Sequence, residues 1–337
     1  MPVAFVFPGQ GSQAVGMGQA LARAFPTARA ALEEADAALG GGLLRLLAEG
    51  PEDDLKQTRN TQPAILAVSV AAHRAFVEAL GQKAQEPGFP AAYAGHSLGE
   101  WSALVAAGAL SLTDAVRAVR ARGSFMQEAV AAGEGAMAVI LGLAPAEVAA
   151  ACAEASAAEG QVVSAANYNS PEQTVVAGAA PAVDRAIALC KARGAKRAMP
   201  LPVSAPFHCA LMAPVQPRLD QVLLAIQLKA PRAPVWANVT AAPNADPAKI
   251  AALLIAQVVA PVRWTETIEG MAKAGIDTLV ELGNGKVLAG LAKRIDKSIK
   301  TFSVEDEASL RACIAALTAV AAPAPAAEKK ALEGVAQ

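Results

Sequence analysis

The chain has 337 residues, 54% of them hydrophobic and 18% charged, with a formal net charge of -1. This length and balance allow one large core or two modest ones and exclude a disordered chain. The absence of a basic excess argues against nucleic acid as the main ligand. The opening Met-Pro-Val-Ala-Phe-Val-Phe-Pro-Gly carries no cationic stretch and no long apolar run, so no secretory signal is expected. The long uncharged stretch 198–217 contains five prolines and His208, which argues against a membrane span there. The four cysteines are scattered without a CxxC pair, so they read as small buried thiols in a reducing cytoplasm, not as metal ligands or a disulfide framework.

In chain order, Val3–Phe7 reads as a buried strand that enters a loop at Pro8-Gly9. Residues 17–39 read as one helix and 61–80 as a second, followed by a loop over 82–90. A short strand over 91–95 leads into helices over 98–107 and 112–131, the latter with Ser111 or Thr113 available as N-cap. This alternation predicts a parallel sheet with crossover helices. The middle of the chain changes character. Strands over 136–143, 162–166, 174–177 and 198–203, with helices over 145–159 and 181–193, give the order β-α-β-β-α-β of a ferredoxin-like unit. Residues 167–173 read as a polar tip between the middle two strands. The expected organisation is therefore a large α/β domain from 1–131 and 203–320, a small inserted domain at 132–202, and a disordered Ala/Pro-rich tail at 321–337. The large domain should regain strands near Val235 and over 278–282.

Gly95-His96-Ser97-Leu98-Gly99 matches G-x-S-x-G between a predicted strand and helix. A serine on so sharp a turn needs glycines on both flanks, and the N–H of the next residue then points at a developing oxyanion. Such a serine needs a base. Of three histidines, His73 falls in an apolar helix and reads as structural, and His96 adjoins Ser97 on a tight turn that aims it elsewhere. His208, in a loop between proline-rich stretches, is left as the candidate base. No carboxylate stands out as a third partner, so a backbone carbonyl or an amide could orient it. Gly9-Gln10-Gly11-Ser12-Gln13-Ala14 also satisfies G-x-G-x-x-G/A, with Glu33, Glu34 or Asp36 near the position of a ribose-binding acid. The other reading of this loop brings a backbone amide to a substrate oxygen. Arg117, Arg120 and Arg122 offer guanidinium groups suited to a carboxylate, and spacing does not choose among them.

Taken together, Phe-Pro-Gly-Gln-Gly-Ser-Gln at 7–13, Thr-Gln-Pro-Ala at 61–64, Gly-His-Ser-Leu-Gly-Glu at 95–100 and Arg-Gly-Ser-Phe-Met-Gln at 122–127 resemble malonyl-CoA:acyl-carrier-protein transacylases. Asn-Tyr-Asn-Ser-Pro at 167–171, Pro-Phe-His at 206–208 and Gly-Asn-Gly-Lys-Val-Leu at 283–288 extend the resemblance over about residues 3–320. It implies an α/β-hydrolase-like large domain with a ferredoxin-like small one. It also implies a malonyl-serine at Ser97, His208 as general base and acid, and an oxyanion hole from the amides of Gln10 and Leu98. Arg122 would clamp the malonyl carboxylate, and the main-chain carbonyl of Gln257 would orient His208. Gln62 and Asn167 would line the cleft where pantetheine enters, and Phe207 would disfavour methylmalonyl. The substrates implied are malonyl-CoA and the thiol of a holo acyl carrier protein, with no bound cofactor or metal, in a cytoplasmic monomer. Trp101, Ala260 and Asn284 depart from the usual Tyr, Asn and Pro of the family. Three rival readings are a serine hydrolase or thioesterase, a nicotinamide-dependent oxidoreductase using the 9–14 loop, and a non-catalytic module that docks a carrier protein.

Overall fold

A computed structural model describes residues 2–158, 160–203 and 205–319. The 321–337 tail expected from composition lies outside the described residues. The first stretch runs β1 (Val3–Phe7), α1 (Gln19–Ala24), α2 (Pro26–Ala38), α3 (Leu43–Glu49), α4 (Glu52–Lys56), α5 (Thr58–Leu80), β2 (Ala92–Gly95), α6 (Leu98–Ala106) and α7 (Leu112–Glu128). The middle runs β3 (Gly135–Leu141), α8 (Pro145–Ala157), β4 (Val163–Ser170), β5 (Gln173–Ala179), α9 (Ala180–Ala192) and β6 (Arg197–Pro200). The last stretch runs α10 (Val215–Leu224), β7 (Val235–Ala237), β8 (Ala242–Asn244), α11 (Pro247–Gln257), α12 (Trp264–Lys273), β9 (Thr278–Leu282), α13 (Val287–Ile295), β10 (Lys300–Val304) and α14 (Glu307–Ala319).

Six strands form one sheet in the order β10-β9-β1-β2-β7-β8, parallel except for the β7–β8 pair. The first strand shows why its sequence is uniformly apolar. Val3, Phe5 and Phe7 enter one core while Ala4 and Val6 enter the core on the opposite face, so both sides need hydrophobic residues. The order also brings the C-terminal ends of β1, β2 and β7 side by side, the edge of a parallel sheet where ligands commonly bind.

The middle of the chain forms a second, antiparallel sheet ordered β4-β5-β3-β6. Ala138, Ile140 and Val176 on one of its faces pack with Val148, Ala151 and Ile187 of α8 and α9. Met137, Val139 and Val175 on the other face turn toward the large sheet's core. The two-residue periodicity of β3 thus divides it between a private core and a shared one.

Several boundaries differ from the sequence expectation. The helix expected over 17–39 is two helices, because Phe25 is extended and Pro26, which has no N–H to continue a helix, opens the second. The short helices α3 and α4 lie in a stretch read without structure. α5 begins at Thr58, three residues early, and carries Pro63 in its second turn. The 167–173 segment is mainly strand: Asn167 pairs with Val175 and Tyr168 with Thr174, leaving a tight turn at residues 171–172. Tyr168 also accepts and donates across to the large unit, its N–H going to Val262 O at 2.9 Å and its carbonyl receiving Thr265 Oγ1 at 3.0 Å. These long-range bonds make a strand of a polar sequence. Ser111 is the N-cap of α7, accepting the Asp114 N–H at 3.0 Å. Among the described residues one helical stretch, Thr58–Gln85, is long and apolar enough to cross a membrane, and 72% of its apolar window is buried in this fold as a core helix.

The wall supplied by α13 has its own anchor. Glu281 of β9 is buried, and its two carboxylate oxygens accept the N–H groups of Leu288 at 3.0 Å and Ala289 at 2.8 Å in the first turn of the helix. Burial pushes this carboxyl up to about 7 against the pull of those hydrogen bonds.

Candidate active site

The strand β2 delivers Gly95 and His96 into Ser97, which sits at φ 50 and ψ -106 immediately before α6. A conformation so rarely adopted costs about 1–3 kcal/mol and persists where its surroundings impose it. Here glycines let three backbone segments close together. A Cβ on Gly95 would meet Gly99 C at 1.9 Å, one on Gly99 would meet Phe7 O at 2.0 Å, and one on Gly9 would meet His96 O at 2.4 Å. Asn238, just past β7, clasps the turn from the adjacent strand. Its Oδ1 accepts the Ser97 N–H at 2.7 Å and its Nδ2 donates to Gly95 O at 2.7 Å.

His208 Nε2 lies 2.7 Å from Ser97 Oγ, and its Nδ1 lies 2.8 Å from the Gln257 carbonyl oxygen. A carbonyl only accepts, so the ring proton belongs on Nδ1 and Nε2 faces the hydroxyl with a lone pair. The histidine is 3% exposed, and burial, reinforced by the nearby Arg122 cation, pulls its pKa down to about 3. It is therefore neutral at physiological pH, the form a general base requires.

Arg122 is 2% exposed. Its Nη1 donates to Gln62 Oε1 at 2.7 Å and its Nη2 to Gln257 Oε1 at 3.0 Å, with Ser97 Oγ 3.4 Å from the same nitrogen. Its Nε is buried without a partner. Among the described residues no carboxylate forms an ion pair with it. Burial lowers its pKa to about 10, which leaves it a cation. A cleft of about 470 Å³ opens over these groups. Its large-unit side carries the 9–12 loop, the Ser97 turn and the start of α13, and its opposite side is the apolar strand face of Met137, Val139 and Leu141.

Residues 4–311 match the family model described as acyl transferase domain. The chain belongs to the acyl transferase domain family. It is 50% identical over 311 residues to the malonyl CoA-acyl carrier protein transacylase of Escherichia coli K12, covering 92% of this chain and 98% of that one. It is 46% identical over 315 residues to the enzyme of the same name from Bacillus subtilis, covering 94% and 97%. Among solved structures, an acyl carrier protein S-malonyltransferase from Vibrio cholerae superposes with a TM-score of 0.88 at 49% identity, covering 93% of this chain and 100% of that one. A malonyl-transacylase solved in complex with its type II PKS acyl-carrier protein gives 0.88 at 46%, covering 94% and 100%.

In this acyl transferase domain the residues singled out from sequence stand as follows. Ser97, His208, Arg122, Gln62, Asn167, Phe207, Gln10 and Leu98 all line the one cleft, and Gln257 closes it from behind through its carbonyl and side chain. Leu98 is the first residue of α6, so its N–H has no intrahelical acceptor. Of the three arginines, Arg117 caps the Ala38 carbonyl on the exposed surface and Arg120 binds Asn60 Oδ1. His96 points away to Asn169 Oδ1 at 2.8 Å, its ring tilted at 58° to that of Trp264. His73 packs edge-on among Phe5, Phe7 and Tyr93, and burial lowers its pKa to about 3. The 9–14 loop does not open a helix, since α1 starts only at Gln19. Glu34 is held by Arg74, and Asp36 receives the Leu44 N–H, so neither serves a ribose. Asn284 ties its loop to Ser12 O at 2.6 Å, while Trp101 is fully buried with its indole N–H unpartnered.

Sequence reasoning missed Asn238, Glu100, Asn169 and the Gln257 side chain. Glu100 is 3% exposed, and its Oε2 accepts the Asn238 N–H at 2.9 Å and Gln257 Nε2 at 2.7 Å. Burial pushes its carboxyl up to about 7. A signal for Asn238 existed: like Gln10 and Ser97, it lies within three residues of the C-terminal end of a parallel strand.

Proposed function

We propose that this protein transfers the malonyl group of malonyl-CoA to the pantetheine thiol of an acyl carrier protein through a malonyl ester on Ser97. The observation that carries the reading is Arg122, a buried cation with an unpartnered N–H beside the Ser97–His208 pair. An uncompensated buried charge costs several kcal/mol, and a substrate carboxylate would supply the missing partner. Neutral acyl groups would leave the guanidinium unpaired, which favours malonyl over acetyl.

In the first half-reaction His208 Nε2 removes the Ser97 proton as Oγ attacks the thioester carbon. The tetrahedral oxyanion is received by the amides of Gln10 and Leu98, and collapse expels the CoA thiolate, which takes the proton back from His208. In the second, the carrier's thiol gives its proton to His208, attacks the malonyl ester, and the Ser97 alkoxide leaves and is reprotonated by His208. The Gln257 carbonyl stabilises the imidazolium at Nδ1 in both steps. Gln62 steadies Arg122, Asn167 lines the pantetheine path, and Phe207 limits bulk beside the malonyl methylene. The relatives' names support both substrates, and the carrier-bound relative supports a protein acceptor.

The large sheet with its flanking helices is read as an α/β-hydrolase-like domain (1–131 and 203–320), and residues 132–202 as a ferredoxin-like insertion. The β-α-β-β-α-β order and the antiparallel arrangement support the latter. The enzyme is read as a cofactor-free cytoplasmic monomer that supplies malonyl carrier protein for fatty-acid synthesis. Initial rates measured against both substrates test the mechanism. Parallel double-reciprocal lines are expected, and intersecting lines, or CoA released without carrier over many turnovers and not as one equivalent per enzyme, would contradict it.

A further inference from the structure

The mechanism above leaves Glu100 unused, although its carboxylate is buried one layer beneath the reacting serine. Its Oε2 accepts the main-chain N–H of Asn238 at 2.9 Å and, more closely, the side-chain amide of Gln257. Gln257 Nε2 donates to Glu100 Oε2 at 2.7 Å, to Ser97 O at 3.0 Å and to Asn238 Oδ1 at 3.3 Å. On the other side of the same amide, Oε1 receives Arg122 Nη2 at 3.0 Å. Turned over, the amide would set its NH₂ against the guanidinium and its oxygen against three acceptors, so this network admits one orientation. Among the described residues Glu100 and Arg122 form no ion pair; they are joined through the amide, whose oxygen faces the cation and whose N–H faces the acid.

The geometry of Arg122 depends on that orientation. Two amide oxygens hold two corners of the guanidinium plane, Gln62 at Nη1 and Gln257 at Nη2. Two fixed corners set the plane; one alone leaves it free to turn. Of the three acceptors that keep Gln257 in place, Glu100 is the nearest. The Asn238 oxygen is already committed to the Ser97 N–H.

We infer that Glu100 is a positioning residue for substrate selection: by fixing which way round the Gln257 amide lies, it holds Arg122 in the attitude that receives an acyl-chain carboxylate. The inference rests on the malonyl-transfer reading. It assigns Glu100 an effect on the preference for malonyl over acetyl, not on the reactivity of Ser97 toward acyl-CoA in general.

The test is the ratio of Ser97 acylation rates with malonyl-CoA and acetyl-CoA, by quenched-flow intact-mass analysis, in Glu100→Gln, Glu100→Leu, Gln257→Met and the Glu100→Leu/Gln257→Met double variant. Glu100→Gln keeps an oxygen where Oε2 stands, and its ratio should remain within about threefold of wild type. Glu100→Leu should lower the ratio about tenfold, the order of one hydrogen bond to a charged group, and Gln257→Met should do the same. The double variant should lose no more than Gln257→Met alone. A wild-type ratio in Glu100→Leu, equal losses for both acyl groups, or additive losses in the double variant would overturn the inference. Should Glu100→Leu fail to fold, an unchanged ratio in Gln257→Met would overturn it equally. Failure of the wild type to accept malonyl-CoA at all would instead refute the transfer reading, so the two failures are distinguishable.

Discussion

Arg122→Ala separates carboxylate recognition from acyl transfer. The substitution removes a guanidinium that is 2% exposed and 3.4 Å from the Ser97 hydroxyl, and it leaves the Ser97–His208 and His208–Gln257 contacts in place. With malonyl-CoA, the substrate carboxylate would then enter a buried site without its partner. Breaking a buried pair from one side costs about 3–5 kcal/mol, or about 10²- to 10⁴-fold in kcat/KM. Acetyl-CoA brings no carboxylate, so its kcat/KM should stay within about tenfold of wild type, the order of one lost hydrogen bond. Arg122 is also the second cause, after burial, of the low His208 pKa. Its removal lets that pKa rise, so the acid limb of the acetyl-CoA profile should move to higher pH in the variant. The assay is acyl-enzyme formation with each thioester across pH 4–9, followed by mass. Equal losses for the two thioesters would refute the carboxylate clamp, and an acid limb that stays in place would refute the electrostatic coupling to His208.

Three further outcomes are expected. His208→Ala should lower Ser97 acylation by about 10²- to 10⁴-fold; in the wild type, whose His208 is held near 3, kcat/KM should stay flat from pH 8 down to 6, and a limb centred at or above 6.5 would contradict the buried neutral base. Glu281 has a folded pKa of about 7 against an ordinary 4.5, so its contribution to stability is present below 4.5 and lost as pH rises through 7. Glu281→Gln should therefore make the melting temperature fall less between pH 5 and 8 than it does in wild type; parallel pH dependences would refute this. Gly99→Ala should destabilise the fold by about 3 kcal/mol or more, because its Cβ would lie 2.0 Å from Phe7 O; a near-wild-type urea midpoint would show that β1 and α6 can separate freely.

Local chemistry was legible where one residue type carries an unambiguous demand. The glycines around Ser97 announce a turn that only a close backbone approach explains, and three histidines leave few choices of base. The order of elements in 132–202 was legible because its apolar periodicities are short and bounded by turns. The break at Phe25–Pro26 was hidden because Leu21, Phe25 and Leu32 keep facing one core across it. The strand at 167–170 was hidden because its main chain bonds to residues near 262–265, which local sequence does not reveal. Glu100, Asn238 and the Gln257 side chain are ordinary polar residues until folding places them in one buried network. Choosing Arg122 over Arg117 and Arg120 needed the family resemblance, since all three lie within six residues on one helix and only its burial sets it apart.

The most direct test of the account is the intact mass of the protein after brief mixing with malonyl-CoA, and again after addition of a holo acyl carrier protein. A malonyl adduct that maps to Ser97, persists in water and moves to the carrier's thiol is the predicted result. A folded protein that forms no adduct, or one whose adduct is lost to water as fast as to the carrier, would contradict it.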